Sequence, residues 1–233
     1  MYFIILTTII AIIFLIHSVI PTIYNKYINS NIVKHTNKDN EIMLTFDDGP
    51  DERYTNKLLD VLKENDVKAT FFVVAENAKK NPHIIHRIHD EGHTIALHSL
   101  SHRNALFYSY RYTKNDFEKS IEIMKNFNYH INYYRPPWGH SNIFTNFFVK
   151  KYNLKMILWD VMAEDWSKHA TVTSISSKLL LRTDENSIIC LHDAGENSGG
   201  ALDAPLKTIE ALSMVLGKLK QDGFKFITPE RLG

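Results

Sequence analysis

Cysteine is almost absent. Cys190 is the only one in 233 residues, which excludes an internal disulfide and a zinc cluster built on thiolates. Any metal must therefore be held by histidine and carboxylate. An excess of either charge is also missing, because 27 basic and 26 acidic side chains leave a net charge of +1. A body this close to neutral has no electrostatic footprint for nucleic acid, and no nucleic-acid partner is expected. With 44% apolar and 23% charged residues, the chain is not disordered. No repeat or low-complexity tract interrupts it, and the length suits one compact domain with an appendage.

Charge is missing most conspicuously at the start. From Met1 to Asn25 there is no Lys, Arg, Asp or Glu, and Tyr2 to Ile20 is mostly Ile, Leu, Phe, Val and Ala. About 20 such residues in a helix cross the ~30 Å hydrocarbon core of a bilayer. A cleaved secretory signal would carry a basic start, a shorter apolar core and an Ala-x-Ala-like site, and these are lacking. Residues 1–23 are thus expected to be an uncleaved, single-pass membrane anchor. Residues 24–40 are Asn-rich and aperiodic and read as a polar tether, with the catalytic body at 41–233. Residues 1–40 hold Lys26, Lys34 and Lys38 against Asp39 alone, while the remainder carries 24 basic and 25 acidic groups. The lysines all follow the apolar run, which by the positive-inside rule favours a cytoplasmic body. The chemistry below favours an extracytoplasmic one.

In the body, short apolar runs alternate with helical spacing. Strands are expected at 41–46, 69–74, 94–97, 155–159, 187–191 and 224–227. Helices are expected at 54–65, 82–90, 113–127, 142–151, 171–181 and 205–220. About seven alternations imply an α/β fold of parallel strands wrapped by helices. Such folds keep their working residues at the C-terminal strand ends. Asp47–Asp48, His98 to His102, Arg135, Asp160, Asp165 and His192–Asp193 all sit just after expected strands.

Taken singly, these clusters are modest. Asp47-Asp48-Gly49-Pro50 alone reads as an Asp-Gly turn. His98 and His102, at i and i+4, share one face of a helical turn and can bind one divalent ion. His83, His86, His89 and His93 read as solvent-facing or helix-terminal, with no metal role. Arg135-Pro136-Pro137-Trp138-Gly139 holds a guanidinium on a rigid backbone, suited to a carboxylate. Asp160 or Asp165 can orient an imidazole or pair with that arginine, and a tryptophan can stack on a sugar ring. Cys190 reads as packing in an apolar strand, where a thiol is inert.

The order of these motifs is more telling. Thr45-Phe-Asp-Asp-Gly-Pro50, His98-Ser-x-x-His102, Arg135-Pro-Pro-Trp-Gly139, Asp165-Trp166 and Leu191-His192-Asp193 together resemble the polysaccharide deacetylase family, carbohydrate esterase family four. The resemblance runs over about residues 41–233. It implies a distorted (β/α) barrel, here preceded by one transmembrane helix. It also implies that Asp48, His98 and His102 hold a divalent metal, zinc by preference, although cobalt, nickel or manganese suit the same ligands. Asp47 becomes the general base, Arg135 its partner, His192 the general acid and Asp165 the group that orients His192. The Trp138 backbone N–H would stabilise the oxyanion, and Trp166 and Leu191 would line a pocket for the acetyl methyl. Where the family often has a further Asp and a small hydroxyl residue, this chain has Met162-Ala163-Glu164, and Asp160 is the expected substitute behind Arg135. Trp138 stands where Tyr is common.

The resulting expectation is a membrane-anchored, metal-dependent hydrolase that deacetylates N-acetylated sugars of a cell-wall glycan such as peptidoglycan. The alternatives are an acetyl-ester hydrolase on xylan-like or small substrates, and a non-catalytic wall-binding relative. Residues 195–204 are expected to form a loop on the substrate rim.

Overall fold

A computed structural model of the chain describes residues 1–196 and 199–232. It begins with helix α1 (Tyr2–Ile28), which is long and apolar enough to cross a membrane. The body follows as β1 (Glu41–Asp47), α2 (Thr55–Glu64), β2 (Thr70–Val74), α3 (Ala75–Lys80), α4 (Pro82–Asp90) and β3 (Thr94–Ser99). Next come α5 (Tyr110–Lys125), β4 (Tyr133–Tyr134), α6 (Thr145–Lys151), β5 (Lys155–Met156) and β6 (Val161–Met162). The chain closes with α7 (Val172–Arg182), β7 (Ile188–His192), α8 (Ala204–Gln221) and β8 (Lys225–Phe226).

Every strand pairing is parallel, in the order β5-β4-β3-β2-β1-β7-β6, with β8 beside the first residues of β1. Only residues 157–160 join β5 to β6 at opposite edges, so the sheet must curl back on itself. The result is the expected α/β fold, an incomplete barrel. The central strands β2 and β3 are buried along their whole length, as helix-covered parallel strands must be. Helices α2, α4 and α8 each present one apolar stripe, such as Leu58, Leu59 and Leu62 of α2, to that core.

Several boundaries differ from the sequence reading. The fifth strand was expected over 155–159 but stops at Met156, because the carbonyls of Ile157 and Leu158 turn inward to accept bonds from Arg135. Helix α5 starts at Tyr110, earlier than expected, where the Ser109 hydroxyl accepts from the Tyr112 N–H at 3.3 Å. The stretch expected as a tether differs most. Residues 24–28 continue α1, and the following segment is fastened to the body. Ile32 is buried in the main core, Val33 pairs with Ile157 along the open edge of β5, and the Thr36 N–H donates to the Asn186 carbonyl at 2.8 Å. An exposed sheet edge with no cover is a liability, and Val33 supplies that cover.

Burying one isoleucine is worth about 1.5–3 kcal/mol. At that cost, a chain begun at Glu41 is expected to melt roughly 3–12 °C below one begun at Asn29. Thermal unfolding followed by circular dichroism checks this, and equal midpoints would show that residues 29–40 add nothing to the fold.

Candidate active site

The C-terminal rim of the sheet gathers the polar groups. Strand β1 ends at Asp47 and runs beside β7, with Asp47 in register with His192. The opposite neighbours β2 and β3 bring His98 to the same rim. These residues surround a cavity of about 450 Å³ lined by Asp47, Asp48, His98, His102, His192, Trp138 and Trp166.

Asp48, His98 and His102 each offer one ligand atom, and these three atoms lie within 4.8 Å of one another. Asp48 Oδ1 is 2.9 Å from His102 Nε2 and 3.4 Å from His98 Nε2. The His98 Nδ1 contacts the Arg135 carbonyl at 2.8 Å. A carbonyl can only accept, so Nδ1 carries the proton and the Nε2 lone pair faces Asp48. One carboxylate oxygen and two imidazole nitrogens converging on one point make a fitting donor set for a divalent cation. The two histidines do not share a helical turn, however. His98 belongs to β3, and His102 follows a bend in left-handed backbone (φ 50) that is fixed by its N–H donating to Ser99 Oγ at 2.8 Å.

Asp47 sits beneath the pair and accepts from Arg135 Nη1 at 2.7 Å. Arg135 is 0% exposed. Its remaining donors reach Thr45 Oγ1 at 2.7 Å and the carbonyls of Ile157 and Leu158 at 3.1 Å each. Asp160 takes no part in this, contrary to expectation. It accepts from the Ile188 N–H at 2.6 Å and from Ser187 Oγ at 3.1 Å instead, closing the β6–β7 connection.

On the other flank, His192 Nδ1 lies 2.9 Å from Asp165 Oδ1, and the His192 N–H donates to Asp165 Oδ2 at 2.9 Å. Thr208 Oγ1 donates to the same Oδ2 at 2.9 Å. Burial alone would lower the His192 pKa, but Asp165, with Asp48 and Asp47 behind it, raises it to about 10. Burial raises and the two imidazoles lower the Asp48 pKa, which ends well below the usual carboxylate range.

Trp138 and Trp166 stand half-exposed on the cavity wall, the Trp138 ring 4.4 Å from that of His102. Trp138 has left-handed backbone (φ 55), as does Asp48 (φ 81). Bulky or functional residues held in this region signal imposed local strain. Leu191 is not brought to the cavity. Side chains alternate along a strand, so Cys190 and His192 of β7 face the site while Leu191 points into the main core. Cys190 is buried as expected, yet it lies under the site, with Sγ donating to Asp47 Oδ2 at 3.4 Å. Burial and Asp47 push its thiol far up, away from reactivity. His93 differs from the solvent-facing reading. It is buried, accepts from the Ala69 N–H at 3.1 Å, and burial lowers its pKa to about 4.

The family pattern of polysaccharide deacetylases matches residues 34–157, more than half of the chain. This chain belongs to the polysaccharide deacetylase family. A peptidoglycan-N-acetylglucosamine deacetylase of Bacillus cereus is 35% identical over 189 residues, covering 81% of this chain and 66% of that protein. A peptidoglycan-N-acetylglucosamine deacetylase of Listeria monocytogenes is 32% identical, covering 84% of this chain but only 39% of the relative. The chain therefore spans between about two fifths and two thirds of the length of these two relatives. Among solved structures, a peptidoglycan N-acetylglucosamine deacetylase in complex with an N-oxidanyl-benzamide superposes with a TM-score of 0.79. It is 32% identical, covering 87% of this chain and 92% of that one.

Three contributors to this family member's site escaped sequence reading. Asp193 accepts from the Gly49 N–H at 3.1 Å and from Thr55 Oγ1 at 2.6 Å, bracing the turn that holds Asp48. A Cβ on Gly49 would lie 2.1 Å from that carboxylate, so only glycine fits there. Burial, reinforced by the nearby Asp48, raises the Asp193 pKa to about 7. Lys26 reaches the cavity from α1 and donates to the Trp138 carbonyl at 3.2 Å. Met162 adds an apolar wall. Asp193 stands in a motif, and Met162 in the Met162-Ala163-Glu164 departure from the family pattern, each without an expected role, whereas nothing local in the sequence marks Lys26 for the site. Of the expected rim loop, residues 197 and 198 lie outside the described residues, and Gly199 and Gly200 line the cavity.

Removing one partner of a buried ion pair leaves the other uncompensated, at a cost of about 3–5 kcal/mol. Arg135→Met is therefore expected to lower the urea unfolding free energy by that amount. Adding Asp47→Asn should return much of it. Equal loss in the single and double variants would show that the guanidinium acts through its carbonyl contacts alone.

Proposed function

We propose that this chain is a metal-dependent deacetylase that removes acetyl groups from the N-acetylated sugars of a cell-wall glycan, with N-acetylglucosamine of peptidoglycan the first candidate. The observation that carries the reading is one cavity with a carboxylate–imidazole–imidazole set between Asp47–Arg135 and His192–Asp165. Asp48, His98 and His102 are the proposed ligands, with zinc the preferred ion. A divalent cation held there polarises the acetyl carbonyl and makes water acidic enough to attack near neutral pH.

The chain's own groups supply the rest. Asp47, locked by Arg135, takes the proton from the attacking water. His192, held as a cation by Asp165, delivers a proton to the leaving nitrogen as the C–N bond breaks, so the products are acetate and a free amine. The Trp138 backbone N–H is the proposed donor to the oxyanion, and Trp166 is the wall beside the acetyl methyl. Base and acid must hold opposite protonation states at one pH, and their opposite partners, a guanidinium and a carboxylate, provide this.

Residues 1–23 are the proposed anchor of a single-pass protein and residues 41–233 its catalytic domain, placed outside the cytoplasm. That placement follows from the glycan substrate and from relatives named for peptidoglycan, against the weak pull of Lys26, Lys34 and Lys38.

Acetate release from N-acetylglucosamine oligomers and peptidoglycan, with and without chelator, tests the reading. Asp47→Asn is expected to lower kcat by about 10²–10⁴ at unchanged metal content. Full activity of that variant, or acetate released from acetyl-xylan but not from amide substrates, would replace the reading. Sugar binding without turnover under any divalent ion would leave a wall-binding protein.

His192 is active as an acid only while protonated, so its raised pKa extends activity upward and rate falls as pH climbs through it. Asp165→Asn removes the main raising partner and is expected to move the limb at least about one unit lower. An unmoved limb in the kcat–pH profile would take the acid role away from His192.

A further inference from the structure

Helix α1 meets the body well before its apolar run ends. The Phe14 ring stacks on Phe107 at 6.0 Å, and Ser18 Oγ donates to the Leu106 carbonyl at 2.6 Å. The Ile143 N–H donates to the His17 carbonyl at 2.9 Å, and Thr22 Oγ1 donates to the Ser141 carbonyl at 2.9 Å. On the other side of the same turns, Leu15, Ile16, Ile20 and Ile23 are exposed. From Phe14 to Ile23, then, α1 has one face on protein and one bare apolar face.

Length sharpens the conflict. Residues 2–13, clear of the body, make a helix of about 18 Å. The hydrocarbon core is ~30 Å thick. A bilayer that ended where the body begins would leave both the shortfall and the outer face of residues 15–23 unmet. The body surface at that height is itself apolar, with Phe107 76% exposed and Tyr110 and Ile143 each 48% exposed. Beyond Ile23, α1 turns amphipathic with Tyr24, Lys26 and Tyr27, residue types that settle at the headgroups.

We infer that the segments carrying Phe107 and Ile143 form a collar around α1 that is seated in the headgroup layer, so the catalytic body docks on lipid. This rests on the anchor reading of α1. The lipid surface completes the apolar cover that the protein leaves off. Since Lys26 lines the catalytic cavity and lies only about 5 Å of helix rise past Ile23, the cavity lies close to the membrane surface. The glycan it reaches is then the membrane-proximal layer.

Nitroxide labels on Phe107→Cys and Ile143→Cys, in full-length chain reconstituted into phosphatidylethanolamine–phosphatidylglycerol vesicles, test the seating. Leu181→Cys on α7 is the aqueous control, and the unsubstituted parent reports any labelling of Cys190. At 107 and 143 the ratio of oxygen to nickel-chelate accessibility should exceed that at 181 by at least about twofold, as for side chains a few ångströms below an interface. Ratios at both positions equal to that at 181, in chain that floats with the vesicles, overturn the collar and leave the anchor standing. Chain that does not float after carbonate washing overturns both.

Discussion

The site depends on a single buried cation. Arg135 has no solvent, and stripping a guanidinium of water costs several kcal/mol unless every donor is met. Here Asp47, Thr45 and the carbonyls of Ile157 and Leu158 take four of its five N–H groups, and the Phe72 ring lies 4.0 Å from it. The backbone of the same residue works too. Its N–H donates to the Leu97 carbonyl at 2.9 Å, and its carbonyl fixes the His98 ring. One residue, by side chain and backbone together, thus joins β1, β3 and the β5–β6 connection, positions the proposed base and orients a proposed ligand.

That cation also explains how carboxylates can crowd below one cavity. Asp47, Asp48, Asp165 and Asp193 are all buried within a few residues of the rim. Each is provided for differently. Asp47 has the guanidinium, Asp165 has the His192 imidazolium, and Asp48 faces two imidazoles. Asp193 is left with neutral donors, Gly49 and Thr55, and it is the one whose pKa climbs. Asp48 is the carboxylate that shares its point of approach with two ring nitrogens, the arrangement a divalent ion suits.

Much of this was legible in the sequence because the fold forces it. Parallel strands wrapped by helices place their C-terminal residues on one rim, so motifs far apart in the chain, Asp47 and His192 among them, could be assigned to one place before any coordinates. What stayed hidden depended on direction. Leu191 and His192 are adjacent in a motif, but strand alternation sends them to opposite faces. The His98–His102 spacing suggested a helical turn, whereas a strand end and a left-handed bend bring the two rings together. Asp160 looked like support for Arg135 because nothing local announces that main-chain carbonyls will do that work. Lys26 was beyond reach for another reason. Its place on the cavity wall comes from a helix docking on a distant loop, through Ser18, Thr22 and Asn25, and single polar residues in an apolar stretch carry no pattern.

The two best-defined imidazoles show how little distinguishes a ligand from an acid. His98 and His192 both offer Nδ1–H to an oxygen, at 2.8 and 2.9 Å. For His98 the oxygen is a neutral carbonyl, which sets the tautomer and leaves Nε2 as a lone pair. For His192 it is a carboxylate that also takes the residue's own N–H and the Thr208 hydroxyl, so it is itself held in place. A fixed anion stabilises the charged ring, and Nε2 then carries a proton to give. Exchanging the acceptors would exchange the roles with no change in either histidine. The chemistry of this rim is therefore written one layer behind the side chains that face the cavity, in Arg135 and Asp165, both of them almost wholly buried.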